Sequence, residues 1–178
     1  SPPAGWEILP GAKQAIELVK RTITRLGEPP RLALMLGDAY RAAGDADLAQ
    51  GQYEKAIQLG KPFPDARVAL AKLFRARGNI PGALTELEQA ITEYGPGAGG
   101  GLAAAYVEKA EANRARGAKA DDLKALYLEA LKADPVSCDA LWGASKIEAD
   151  LVRAMLAKEG GAKLAIETVK RTITRLGE

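Results

Sequence analysis

The stretch Leu36-Gly37-Asp38-Ala39-Tyr40-Arg41-Ala42-Ala43-Gly44-Asp45 returns as Leu70-Ala71-Lys72-Leu73-Phe74-Arg75-Ala76-Arg77-Gly78-Asn79, from 36 to 70, an offset of 34 residues. A repeat of this length is one supersecondary unit that cannot bury its apolar face alone, so the chain must stack successive units against one another. A third copy of the closing segment, Asn113-Arg114-Ala115-Arg116-Gly117, lies 39 residues past the second, from 78 to 117. The five extra residues fall in Gly95-Pro96-Gly97-Ala98-Gly99-Gly100-Gly101, so the insertion is a loop and the register continues beyond it.

Within a unit the spacing predicts two helices. Leu36, Gly37 and Tyr40, repeated as Leu70, Ala71 and Phe74, share one stripe of a first helix and are expected to face the second. Gly44, Gly78 and Gly117 sit just past that helix, where a positive φ closes the last turn. Asp45 or Asp47, and Asn79, offer caps for the second helix. Its apolar face runs through Ala49, Tyr53, Ala56 and Ile57, matched by Ala83, Leu87, Ala90 and Ile91. Pro62, Pro64, Pro96 and Pro135 end the second helices because proline cannot continue them.

These small, aromatic and alanine positions, in order across Pro30 to Gly95, resemble the tetratricopeptide repeat family. The resemblance implies an all-α fold, a right-handed superhelical solenoid of antiparallel helix pairs. It divides the chain into an extended segment 1–10 and one array, 11–178. The array comprises a half-repeat second helix (11–28), repeats 30–63 and 64–95, the glycine-rich loop 96–101, a divergent repeat 102–134 and an elongated terminal repeat 135–178. The divergent repeat places Lys109 and Asn113 where the apolar stripe should run.

A second repetition links the ends. Residues 11–28 recur at 161–178, with only Gln14 against Leu164 and Leu18 against Thr168 differing. Three origins stay open: a grafted copy, one period of an array of very long near-identical repeats, or selection for one helix sequence. Each copy carries an apolar face, Ile16, Val19 and Ile23 in one and Ile166, Val169 and Ile173 in the other, suited to end-to-end self-association.

Composition removes several chemistries. With no histidine, the commonest general base and the commonest metal ligand are missing, and the chain is expected to be no enzyme and to hold no metal or cofactor. The formal charge of +2 and 5% aromatic content exclude a bulk field or stacking platform for nucleic acid. No apolar run is long enough to span a bilayer, and no membrane partner is expected. Because it begins with Ser1, the chain is expected to be a trimmed piece whose targeting signals are cut away. The cytoplasm is the favoured compartment, and the periplasm also fits a single thiol, Cys138, expected to be a buried small hydrophobe. Gly95 to Gly100 satisfies G-x-G-x-x-G, but a helix rather than a strand precedes it, so it reads as a loop. Asp121-Asp122 and Glu108 with Glu111 read as solvated helix faces.

Arg41, Arg75 and Arg114 occupy one position in three units, three residues before the closing glycine. The resemblance places that position toward the concave groove where peptides dock, with Arg31, Asp38 and Lys72 on the same side. Arginine's planar fork suits carboxylates, so the expected partner is a protein or peptide, in one version an acidic one. The other reading makes the three arginines last-turn cations that complement the helix dipole. The family's two-carboxylate clamp is not reproduced, since Leu34 and Asp38 stand where it wants cationic or amide groups. The expected function is a non-catalytic scaffold or adaptor; the alternative is a structural module that stacks through its duplicated terminal helices.

Overall fold

The computed structural model describes residues 8–157, together with residues 166, 167, 169–171 and 174. Among the described residues the helices follow in the order α1 (Ala12–Leu26), α2 (Pro30–Ala42), α3 (Ala46–Leu59), α4 (Pro64–Ala76), α5 (Ile80–Tyr94), α6 (Gly100–Ala115), α7 (Ala120–Ala133) and α8 (Cys138–Leu156). The fold is the expected all-α solenoid of antiparallel helix pairs, α2 with α3, α4 with α5 and α6 with α7.

Local chemistry sets the helix ends. Pro30 and Pro64 open α2 and α4 with a fixed φ where a missing N–H costs nothing. Gly44, Gly78 and Gly117 have φ of 84°, 77° and 81°. In each case the glycine N–H donates to the arginine carbonyl three residues back, Gly44 to Arg41, Gly78 to Arg75 and Gly117 to Arg114, at 2.9–3.0 Å. The next N–H reaches back five residues, Asp45 to Tyr40, Asn79 to Phe74 and Ala118 to Asn113. This paired closure uses the last carbonyls and turns the chain into the second helix. Asn79 caps α5 by accepting from the Gly82 N–H at 3.1 Å, whereas Asp45 makes no side-chain cap.

The core is continuous because first helices pack on both sides. α4 contributes Ala66, Leu70 and Leu73 to one cluster with Ala49, Tyr53 and Ala56. Its Val68 and Ala71 join Ala83, Leu87 and Ala90 in the next. α6 likewise joins that cluster through Ala105 and Ala112 and gives Ala103, Val107 and Ala110 to a third with Tyr127. Gly37 fits against Tyr53 so closely that a Cβ would lie 2.5 Å from the ring, and Gly143 on α8 meets Tyr127 in the same way at 2.2 Å.

Three expectations need correction. Leu36 does not face the second helix with Gly37; it packs with Ala39 against Ile16 and Val19 of α1, because the neighbouring half-repeat covers that side of α2. The glycine-rich loop is shorter than residues 96–101, since α6 begins at Gly100, and Gly101 leaves room for the Tyr94 ring. Cys138 is exposed, not buried: as the first residue of α8 it faces outward and Ala140 enters the core instead. Asn113 is buried despite its polarity because its amide donates to the Lys109 carbonyl at 2.7 Å. Among the described residues, no helix is long and apolar enough to cross a membrane.

Candidate functional site

The first helix α4 packs on α6, and α2, α4 and α6 carry the polar positions of the repeat. Between α2 and α4 opens a cleft of about 500 Å³ lined by Leu34, Asp38, Arg41, Tyr53, Asp65, Val68, Ala69 and Lys72. Three of the expected groove residues, Asp38, Arg41 and Lys72, therefore line one cavity. Arg31 stands at its edge, 73% exposed, with Nη1 3.6 Å from Asp65.

Position 38 of the first unit corresponds to Lys72 and Glu111 in the next two, and the second-helix residue facing it decides what it does. Tyr53 donates its hydroxyl to Asp38 at 2.8 Å, and Tyr127 donates to Glu111 at 2.5 Å. The middle unit has Leu87 in place of a tyrosine, so no phenol seeks an acceptor and lysine stands there. Lys72 points instead toward Glu108 of the next first helix, 3.8 Å away. Tyr94 makes a related bond to Asp65 at 2.5 Å. Burial, reinforced by the charge and the hydrogen bond of the facing carboxylate, pushes all three phenols above their ordinary range.

The arginines do not form a row of equivalent free cations. Arg75 donates to Glu108 Oε2 from Nε and Nη2, at 3.2 and 3.1 Å. Arg114 donates to Glu111 at 2.8 Å and to the Tyr127 hydroxyl at 3.0 Å, with its guanidinium 5.7 Å from that ring. Arg41 is exposed beside the Tyr53 hydroxyl, where it offsets part of the Asp38 charge. All three arginines stand in the last turns of α2, α4 and α6, where a cation complements the helix dipole, while the terminal carbonyls themselves are bonded by the glycine turns. Glu108 and Glu111 are consequently not a solvated face, Glu108 being only 14% exposed. Around the α2–α4 cleft and its junction with α6, Arg31, Arg41, Lys72 and Arg75 meet Asp38, Asp65 and Glu108, leaving one positive charge in excess. Sequence reasoning missed Glu108 as a partner because its cations come from a different unit.

The self-association residues divide. Ile16 and Val19 are buried, and Ile23 is partly buried, against Leu36, Ala39, Tyr40 and Ala43 of α2. Ile166 and Val169 are 58% and 40% exposed, and Ile173 lies outside the described residues. Among the described residues no group of acidic or thiol side chains is arranged to hold a metal ion.

Comparison with known proteins agrees with the fold. A family model described as Tetratricopeptide repeat matches residues 34–99 and 69–137. No curated protein matches the chain. Among solved structures, one of MamA is 18% identical with a TM-score of 0.60, covering 92% of this chain and 91% of that one. A second MamA structure is 21% identical with a TM-score of 0.57 over 68% of this chain, which spans 63% of that one's length. The first TPR of Spaghetti (RPAP3) bound to HSP90 peptide SRMEEVD is 19% identical with a TM-score of 0.55, covering 78% of this chain and 94% of that one. At these identities the likeness is one of fold.

Proposed function

Because the chain belongs to the tetratricopeptide repeat family, we propose that it is a non-catalytic interaction module that holds a peptide or protein segment in the groove of α2, α4 and α6. The observation that carries this reading is the cleft between α2 and α4. It joins apolar floor residues, Leu34, Val68 and Ala69, to polar groups that fix orientation, Asp38, Arg41 and Lys72. An acidic segment suits it best. Arg31, Arg41 and Lys72 are exposed and the local excess is positive; the Arg31–Asp65 and Lys72–Glu108 pairs are long, at 3.6 and 3.8 Å, whereas Arg75 and Arg114 hold carboxylates of the array at 3.1 and 2.8 Å. The HSP90 peptide of the Spaghetti structure is acidic, but Leu34 and Asp38 favour a different acidic sequence here.

A photo-cross-linking residue at Ala69 tests this reading. Cross-links to a captured partner are expected there and not from Leu128 on α7. The reverse pattern would move the interaction off the groove.

A second reading, self-association through the duplicated helix, is favoured by one contrast. Ile166 and Val169 are exposed, while the identical residues of the first copy, Ile16 and Val19, are buried.

A further inference from the structure

The interface between α1 and α2 says what the second copy of that sequence is able to bind. On α1, Ala12, Ile16 and Val19 are buried and Thr22 and Ile23 are half-buried. All five recur at the corresponding positions of the second copy, as Ala162, Ile166, Val169, Thr172 and Ile173. The two positions that differ, Gln14 and Leu18, are both exposed on α1, Leu18 by 65%. The face that touches α2 is therefore duplicated without change, and substitution is confined to the face that does not. The residues that make the polar contacts of the first copy recur as well. Lys20, whose ammonium stands 5.7 Å from the Tyr40 ring, recurs as Lys170, and Glu28, which accepts from Lys55 on α3 at 2.5 Å, recurs as Glu178.

We propose that residues 161–178 are a second ligand for the α2 face, so that one copy of the chain docks this segment on α2 of another copy in place of that copy's own α1. The proposal rests on the self-association reading above and goes beyond it by naming the receiving surface, Leu36, Ala39, Tyr40 and Ala43. The two patches are different surfaces, so the contact is heterologous and propagates head to tail unless it closes into a ring. In the unaltered chain α1 holds the advantage. It is joined to α2 through Gly27, Glu28 and Pro29, and so short a tether gives an effective concentration on the order of millimolar. Against a second copy at about ten micromolar, that advantage is roughly a hundredfold. Exchange becomes dominant when the face of α1 is damaged.

The test uses the full chain carrying Ile16→Asp and Val19→Asp. Its average mass in sedimentation is expected to at least double as concentration rises through the micromolar range. Adding Ile166→Asp and Val169→Asp is expected to return it to the monomer, and continued association of that quadruple variant would overturn the proposal as ordinary stickiness of a bared α2. A fluorescent peptide of residues 161–178 locates the site. It is expected to bind the double variant and to lose at least tenfold in affinity when Ala39→Asp is added. Equal binding with Ala39→Asp would overturn docking on α2 while leaving self-association standing. Neither mass increase nor peptide binding would overturn both. Should the double variant lose its cooperative unfolding transition, the same peptide raised above the roughly millimolar effective concentration of α1 reads the same site on the unaltered chain by exchange, and no binding there overturns the proposal.

Discussion

Arg75 on α4 grips Glu108 on α6 through two donors, Nε at 3.2 Å and Nη2 at 3.1 Å, and so ties one repeat to the next across their shared junction. Glu108 is 14% exposed and Arg75 35%, so the pair lies between a solvated ion pair and a buried one. Its contribution belongs between the two corresponding ranges, at about 1 kcal/mol. Arg75→Gln is expected to lower the melting temperature by about 2–4 °C, measured by thermal circular dichroism. An unchanged melting temperature would contradict a stabilising tie between the two repeats through this pair.

Gly37 and Tyr53 make a different kind of lock. A Cβ at Gly37 would lie 2.5 Å from the Tyr53 ring, so Gly37→Ala is expected to cost about 1–3 kcal/mol by overpacking. The middle unit solves the same contact with Ala71 and Leu87 at the equivalent positions. Gly37→Ala with Tyr53→Leu is therefore expected to be more stable than the sum of the single costs, and strict additivity in a double-mutant cycle would refute the pairing.

Gly44 and Gly78 test the helix ends. Nothing lies within 4 Å of a Cβ built at Gly78, so the cost of replacing it comes from its φ of 77° and not from a clash. Replacing either glycine by valine is expected to cost about 1 kcal/mol or more in urea unfolding. Unchanged midpoints in both variants would contradict the left-handed closure.

What the sequence discloses is mostly what one unit does by itself. The helix pairs, the positive-φ glycines and the Asn79 cap follow from local propensity and from a period of 34 residues. What it hides is what one unit does to the next. That Leu36 turns to α1, that Glu108 draws Lys72 and Arg75, and that Asn113 can be buried all depend on how neighbours stack. The arginine register was legible, but the carboxylates that occupy Arg75 and Arg114 come from other positions of the repeat, and a single register does not show them.

The three tyrosine–carboxylate bonds give the fold a pH limit on the alkaline side. Tyr53, Tyr94 and Tyr127 are held above the ordinary phenol value of about 10, so the unfolded chain releases these protons first. Their contribution is complete below about pH 10 and is lost as pH rises beyond it, because the unfolded state then binds fewer protons than the folded one. Unfolding free energy is expected to fall more steeply above that pH in the parent than in a variant with all three changed to phenylalanine. Parallel profiles would contradict the assignment.

The most direct test of the groove is to compare two variants that each lose three positive charges. Arg31→Gln, Arg41→Gln and Lys72→Gln remove cations at the α2–α4 cleft, and Arg25→Gln, Lys55→Gln and Lys132→Gln remove them from α1, α3 and α7. Titration of a captured partner by calorimetry is expected to show the cleft variant weakened at least tenfold, with the second variant close to the parent and helix content the same in all three. Equal affinity in the cleft variant and the parent, or equal weakening in both variants, would contradict binding in the groove.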